Sequence, residues 1–436
     1  CAHDVGLMAK QALDRARARG LRSSRPEQHN ALVIRAGGSY DNKLCPFSAF
    51  TSNPFPIPMN LPLRVTPVEF GTPGFTTFLD LPWKLHGHEP NWVPMLRIQQ
   101  KDLLNPKKGP FFEFGEAQYF VAWRGEEPVG RLSAHVNRNY DAFHGADTGF
   151  FGFFVCQDDP EAAAALLEVA SAWVKARGKT RMLGPLGFGI YDEVGVLIDR
   201  YDLPPAVMQV FNPPYYPALL EGAGLTKAVD WKGFRGLPSE EIREVAQRRL
   251  DEALAKTNLT FRKPSPTEVL KRAEEVRLIF NETWKRNWGH VPFTPRQFKA
   301  VLNELRPMLR TRFMRAFYDE QDRLAAFIIT IPDINYAIKA MDGRLSFMGL
   351  LRLIKAAWFS PVKHVRTIIM GVKEEYQGHS LHHAFIAATY LQLLDTPSLE
   401  WWDCSLIVET NIPMIRAMRA YKAPMGQTWR IYEKAL

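Results

Sequence analysis

Four features recur at a nearly constant offset along this 436-residue chain, and they constrain its architecture more than its composition does. Leu63-Arg-Val65 opens an apolar strand, and Leu259-Thr-Phe261 does the same 196 residues later. Asn91-Trp92-Val-Pro94 is echoed by Asn287-Trp288-Gly-His-Val-Pro292. A hairpin over 119–130, turning at Gly125-Glu126, aligns with a second over 313–326 that turns at residues 319–322. Asn212-Pro-Pro and Asn411-Ile-Pro each open a helix. Chance supplies one such match but not four in order, so the chain reads as two copies of one domain. The expected boundaries are an N-terminal copy over 59–236, a charged linker helix within 237–258 and a C-terminal copy over 259–436.

Each copy runs strand, helices, hairpin, long strand, helix, strand and final helix. That order predicts an α/β protein, an α+β mixed sheet with helices on both faces. Residues 1–58 lack apolar periodicity, with arginines at 15, 17, 19, 22 and 25 and no signal-peptide apolar core. They are expected to be a disordered extension, with Met59 as a plausible start.

The net charge of +9 favours anionic partners: a polyphosphate cofactor, an acidic lipid surface or nucleic acid. Nucleic acid is the least suited, because the aromatic clusters Phe111-Phe112, 150–154 and Trp401-Trp402 fall at strand-core spacing. The four cysteines show no paired spacing, which points to a reducing, cytoplasmic setting. No run of about 18 uninterrupted apolar residues is present, so no membrane-spanning helix is expected.

Chemistry concentrates after the apolar strand that ends at Met370-Gly371-Val372. A polar turn with Gly378 follows, and an apolar-periodic helix begins near Ser380. A strand that feeds a helix through such a turn aims free backbone N–H groups at one point, a seat for phosphate. The corresponding turn of the first copy reads Cys156-Gln-Asp-Asp-Pro-Glu161. It has no glycine and three carboxylates, so it should repel a pyrophosphate. An insertion over 184–195, rich in glycine and aromatics, follows instead. His379, His382 and His383 have no third ligand at suitable spacing, so no metal is expected and a basic helix start is the simpler account.

Carboxylates that close apolar runs can line a cleft and act as a base. Asp333, Glu409 and the pair Asp192-Glu193 are the candidates, each equally readable as a cap or ion-pair partner. The segment 341–360 carries Arg344, Arg352 and Lys355 within about 80° of helical arc beside Leu, Phe, Ile and Trp. It suits a helix at a membrane surface or an ordinary helix covering the sheet.

The stretch Val372-Lys-Glu-Glu375-Tyr-Gln-Gly378-His-Ser380-Leu resembles the pyrophosphate loop of the GNAT superfamily of CoA-dependent N-acyltransferases. It departs from that pattern at Glu375 and Ser380. With Asn105-Pro-Lys-Lys-Gly-Pro-Phe-Phe, Asn212-Pro-Pro-Tyr-Tyr and Ile331-Pro-Asp-Ile-Asn335, the chain looks like a bacterial tandem-GNAT protein, similar in layout to bacterial ceramide synthases. The resemblance covers roughly 63–235 and 259–436.

It implies acyl-CoA as co-substrate and a primary amine as acceptor, including a long-chain or sphingoid-type amine. Met370, Gly371 and Val372 would pair with pantetheine. The amides of Gln377, Gly378, His379 and Ser380 would take the pyrophosphate, with Asn411 at the start of the last helix also against the cofactor. The position where many GNAT enzymes carry a tyrosine acid holds Leu219 and Met418 here, so that acid is either missing or replaced by Tyr421. A non-catalytic acyl-CoA or lipid-binding protein and a small-molecule N-acetyltransferase are the alternatives. The expected location is the cytoplasm, with peripheral contact at an anionic inner-membrane face.

Overall fold

The computed structural model describes residues 60–145, 147–378 and 380–436, with backbone alone at Ala357 and Trp358. The expected extension over 1–58 and its start at Met59 lie outside the described residues, as does His379. The remainder belongs to one compact unit, Ile57–Leu436.

One sheet organises everything described. In the first half its strands are β1 (Leu63–Val68), β2 (Gly115–Arg124), β3 (Glu127–Asn137), β4 (Thr148–Cys156), β5 (Arg181–Gly184), the two-residue β6 (Val196–Leu197) and β7 (Thr226–Gly236). In the second half they are β8 (Thr260–Arg262), β9 (Met314–Tyr318), β10 (Leu324–Pro332), β11 (His364–Val372), β12 (Trp401–Val408) and β13 (Met425–Ala435). The order across the sheet is β1-β2-β3-β4-β5-β13-β7-β12-β11-β10-β9-β8, with β6 beside β13. The α/β mixed sheet is thus present.

The two halves exchange their last strands. β13 pairs with β5 of the first half, and β7 pairs with β12 of the second. β7 and β13 then meet each other antiparallel at the centre, with Trp231 opposite Trp429 and both indoles buried. The sheet runs across the expected boundaries 59–236 and 259–436. The linker is itself packed: its helix, Arg243–Ala255, buries Ala246 and Ala253 against the second half.

Helix starts follow the local chemistry. The helix Pro160–Lys175 begins at Asp159, whose side chain accepts from the Ala162 N–H, with proline in the first turn. Ala162, Leu166, Leu167 and Ala170 lie on one face and fill the core against β3 and β4. The helix Ile412–Ala420 is capped by Asn411, which accepts from the Met414 N–H. The helix Leu381–Leu394 starts at Ser380 with no side-chain cap.

Candidate functional site

Each half contains one parallel strand pair among otherwise antiparallel neighbours, and each pair comes apart. β11 and β12 are paired from His364/Trp401 to Thr367/Cys404 and then diverge. β12 goes on to pair with β7 at Ile407 and Val408. β4 and β5 are paired only from Thr148/Arg181 to Phe150/Leu183. Two parted parallel strands leave a wedge whose edge carries unpaired backbone groups.

The wedges differ in their filling. β4 is buried along its whole length, whereas β11 is only partly buried at Ile368, Ile369 and Met370. In the first half the 184–195 insertion occupies the wedge. Leu186 N–H donates to Phe151 O at 2.9 Å, and Phe188 stacks on Phe111 with ring centroids 4.0 Å apart. A side chain at Gly152 would place its Cβ 1.6 Å from Leu186 O, so the insertion touches the strand directly.

In the second half the free edge of β11 is held by side chains instead. Thr283 Oγ1 accepts from Val372 N–H at 2.9 Å and donates to Val372 O at 2.9 Å. Trp284 Nε1 donates to Met370 O at 3.1 Å. Both residues end the helix Ala273–Trp284, and they hold the backbone atoms of Met370 and Val372 that a pantetheine arm would need. Gly371 is the residue between, and its hydrogen-bonding edge faces β10 opposite Phe327. Sequence reasoning missed Thr283 and Trp284, because nothing in a helical pattern marks which side chains will satisfy a strand edge.

The turn after β11 carries the phosphate-seat geometry. Gly378 has φ +96° and Ser380 is left-handed at φ 61°, ψ 17°. Among the described residues the N–H groups of Gly378, Ser380 and Leu381 meet no acceptor. They lie at the positive end of a fourteen-residue helix that has no side-chain cap. Gln377 does not share this role, because its backbone N–H is turned back to Glu374 O at 3.1 Å. Glu374 is held by Lys285 at 2.7 Å, while Glu375 lies 3.9 Å from Lys373. The start of the helix is not basic. Burial, with His383 adding, pushes His382 down to about 4, and burial lowers His383 too, so both imidazoles are neutral at pH 7.

The matching helix start of the first half already holds an anion. Asp159 accepts from Arg124 Nε at 2.7 Å and Nη2 at 3.0 Å, with both residues buried. Burial alone would raise the Asp159 carboxyl, but the Arg124 and backbone N–H groups bring it below the ordinary range.

The five candidate acid–base residues, Asp333, Glu409, Asp192, Glu193 and Tyr421, are not gathered at one point. Asp333 lies beside the far end of β11, where its N–H donates to His364 O at 2.8 Å. Six strand residues, about 20 Å at 3.3 Å each, separate His364 from Met370. Its carboxylate accepts from the Val207 and Asn335 N–H groups at 3.0 and 2.8 Å, pinning a first-half loop to the second half. Arg366 Nη1 donates to Val207 O and Gln209 Nε2 to Asp403 Oδ1, completing the latch. This is a structural arrangement.

Glu409 follows directly on β12, and it accepts from Lys227 at 2.9 Å and from Asp230 N–H at 3.1 Å. Tyr421 is buried, stacks on Tyr390 and donates to His383 O at 3.3 Å, which makes it core. Asn411 spends its side-chain oxygen on the helix cap. Glu193 sits in the first-half insertion. Burial raises its carboxyl, and the charge of Arg131 opposes that shift. The same insertion reaches the second-half wedge through Tyr191, whose ring lies 5.5 Å from Phe280 and 6.3 Å from Trp284. Of these candidates, only Asp192, which accepts from the Phe188 N–H at 3.1 Å, and Glu193 belong to a segment that touches the wall beside β11.

Burial pushes the Asp333 carboxyl up to about 6, against the backbone N–H groups and Arg366. A folded value above the unfolded one, about 3.9, adds stability that is full below pH 3.9 and lost as pH rises through 6. Asp333→Asn should therefore flatten the fall in melting temperature between pH 5 and 7.5. Thermal melts at the two pH values check this, and an unchanged slope would remove Asp333 as its source.

Two relatives cover nearly the whole of this fold. The chain is 30% identical over 384 residues to a protein of Caulobacter vibrioides named bacterial ceramide synthase, covering 86% of this chain and 98% of that protein. It is 31% identical over 364 residues to protein YghO of Escherichia coli K12, covering 82% of this chain and 92% of YghO. The chain belongs to the bacterial ceramide synthase family. No family model matches it. Among solved structures, a tandem GNAT protein from the clavulanic acid biosynthesis pathway is 16% identical, with a TM-score of 0.47 and coverage of 86% of this chain and 98% of that one. In this chain the first wedge is filled by the 184–195 insertion, and the helix beside the second wedge starts without a side-chain cap.

Proposed function

We propose that the protein is an N-acyltransferase that moves an acyl group from acyl-CoA to the primary amine of a long-chain, sphingoid-type acceptor. The observation that carries this reading is the second-half wedge, which ends in left-handed Gly378 and Ser380 at an uncapped helix start. The first-half equivalent is plugged by Leu186 and capped by Asp159. One donor site per chain follows, with the repeat halves dividing the work into a cofactor half and a substrate-shaping half. The name of the Caulobacter relative supports an amine-bearing lipid as acceptor.

In this reading Gly378, Ser380 and Leu381 take the pyrophosphate, and the pantetheine arm enters along β11. The neutral amine attacks the thioester carbonyl, a C–N bond forms, the C–S bond breaks, and CoA leaves as the thiol. The amine must first lose a proton. Glu193, raised by burial and carried by the segment that reaches the wedge, is the assigned acceptor of that proton. The Trp284 and Thr283 bonds to β11 have to yield for pantetheine to pair, so donor binding displaces the end of the helix Ala273–Trp284.

The test pairs a long-chain acyl-CoA with a sphingoid amine. Release of free thiol and formation of the N-acyl amide, followed by mass spectrometry, are expected together, and neither appearing overturns the reading. The closed β11 edge and the buried Tyr421 favour a second reading, a non-catalytic acyl-CoA or lipid-binding protein. It predicts CoA binding with no thiol release.

A further inference from the structure

The 341–360 segment turns four large apolar side chains, Phe347, Met348, Leu351 and Phe359, away from the protein. Ser346 caps the helix Phe347–Ile354 by accepting from the Gly349 N–H at 3.1 Å, and a π-helical turn, Lys355–Phe359, continues it. Phe347 is 76% exposed, Met348 57%, Leu351 40% and Phe359 72%. Tyr336, on the short helix Asn335–Ala340 packed alongside, is 57% exposed. The inward side is thin: Gly349 lies against Met341, where a Cβ would come within 2.9 Å of the sulfur, and Leu353 touches the second-half core. Exposed apolar side chains scattered singly need no explanation, but a cluster on one helix does.

The charges share this outward face. At 100° per residue, Phe347, Leu351 and Met348 span about 100° of arc, and Lys355 and Arg352 fall within or just beside it. The sequence placed the basic strip and the apolar stripe on different sides. In the fold the exposed arc holds both. Arg344, Arg352 and Lys355 are all exposed. None forms an ion pair among the described residues, and no aspartate or glutamate occurs between 343 and 359. Asp342 and Gly343 anchor the segment to the first half, where Trp83 Nε1 donates to Asp342 O at 3.0 Å and Arg97 N–H to Gly343 O at 2.9 Å. The face is therefore held on a rigid base at the end of the segment.

We propose that this face docks on an anionic phospholipid bilayer, with Phe347, Met348, Leu351 and Phe359 entering the headgroup boundary and Arg344, Arg352 and Lys355 paired with lipid phosphates. Two features select a bilayer. The apolar groups are large and exposed, and the cations beside them form no ion pair among the described residues. The inference deepens the proposed function and rests on it in one respect: a long-chain amine is taken from a membrane. The segment leads into β11 at His364, the end where that strand is still paired with β12, so docking would fix the start of the strand relative to the lipid surface.

Co-sedimentation with phosphatidylcholine vesicles, with and without phosphatidylglycerol, tests it. The full chain should bind the anionic vesicles, and raised salt should weaken that binding. R344A/R352A/K355A should bind about a hundredfold more weakly. F347S/F359S should also lose binding, including at low salt. Equal sedimentation of wild type and either variant overturns the docking face. Binding to soluble polyglutamate as strong as to vesicles, and indifferent to F347S/F359S, overturns it in favour of an acidic protein surface. Transfer to a short, water-soluble amine should be unchanged in both variants. Should the wild type bind vesicles yet transfer to no amine, the docking stands and the acyltransferase reading falls.

Discussion

Gly378→Asp is expected to abolish CoA binding. The residue has φ +96°, a conformation open to glycine and strained by roughly 1–2 kcal/mol for other residues. No heavy atom lies within 4 Å of its Cβ direction, so the side chain would project into open space beside the helix start. That space is where the pyrophosphate is assigned. A carboxylate and a phosphate charge about 4 Å apart repel by about 4 kcal/mol at an effective dielectric of 20, roughly a thousandfold in affinity. Gly378→Ala separates the two effects, since it keeps the strain without the charge and should lose only about tenfold. Titration calorimetry with CoA measures both variants, and circular dichroism checks that the helix Leu381–Leu394 persists. Unchanged affinity in Gly378→Asp would reject the seat.

The internal repeat made most of the strand and helix order legible, because apolar runs, hairpin turns and Asn-Pro helix starts are local signals. The exchange of β7 and β13 was not. Their alternating pattern suits either half of the sheet, and the exchange is set by long-range pairing of β13 with β5 and of β7 with β12. The acidic turn of the first half was readable as hostile to phosphate, but its cause is long-range: Arg124, on a strand 35 residues earlier, supplies the partner that keeps Asp159 ionised. Gln377 was assigned to the seat from the motif, yet a turn bond to Glu374 removes its N–H. The basic helix start failed for a similar reason, since burial neutralises His382 and His383. Asp333 and Tyr421 were singled out by chemistry alone. The first proves to be a latch across the halves and the second a core ring, because residue type does not fix which way a side chain points.

Breaking the Arg124–Asp159 pair should produce the largest loss of stability of any single change in the first half. Its two hydrogen bonds of 2.7 and 3.0 Å are formed between side chains that are 3% and 0% exposed. Arg124→Ala leaves the carboxylate buried beside the helix start with only backbone N–H partners, for a cost of about 3–5 kcal/mol. Glu161, which accepts from Arg124 Nη2 at 2.6 Å, is exposed and loses its partner to solvent, whereas Asp159 loses it in a buried site. Arg124→Ala/Asp159→Ala should be less damaging than the sum of the two single variants, because neither charge is then left alone. The depressed Asp159 carboxyl contributes stability that is present above the unfolded value, about 3.9, and lost as pH falls. The gap between wild type and Arg124→Ala should therefore begin to narrow below about pH 4 and close only as pH falls through the lower folded value. Denaturant titrations of the three proteins give these differences, and a loss under about 1 kcal/mol would show the pair to be incidental. The same variants bear on the division of labour. Even with Asp159 gone, Leu186 still bonds to Phe151 O and fills the first wedge, so CoA should bind with a stoichiometry of one in Asp159→Ala as in the wild type. A second equivalent of CoA in that variant would mean that Asp159, and not the inserted segment, keeps the first half from binding a cofactor.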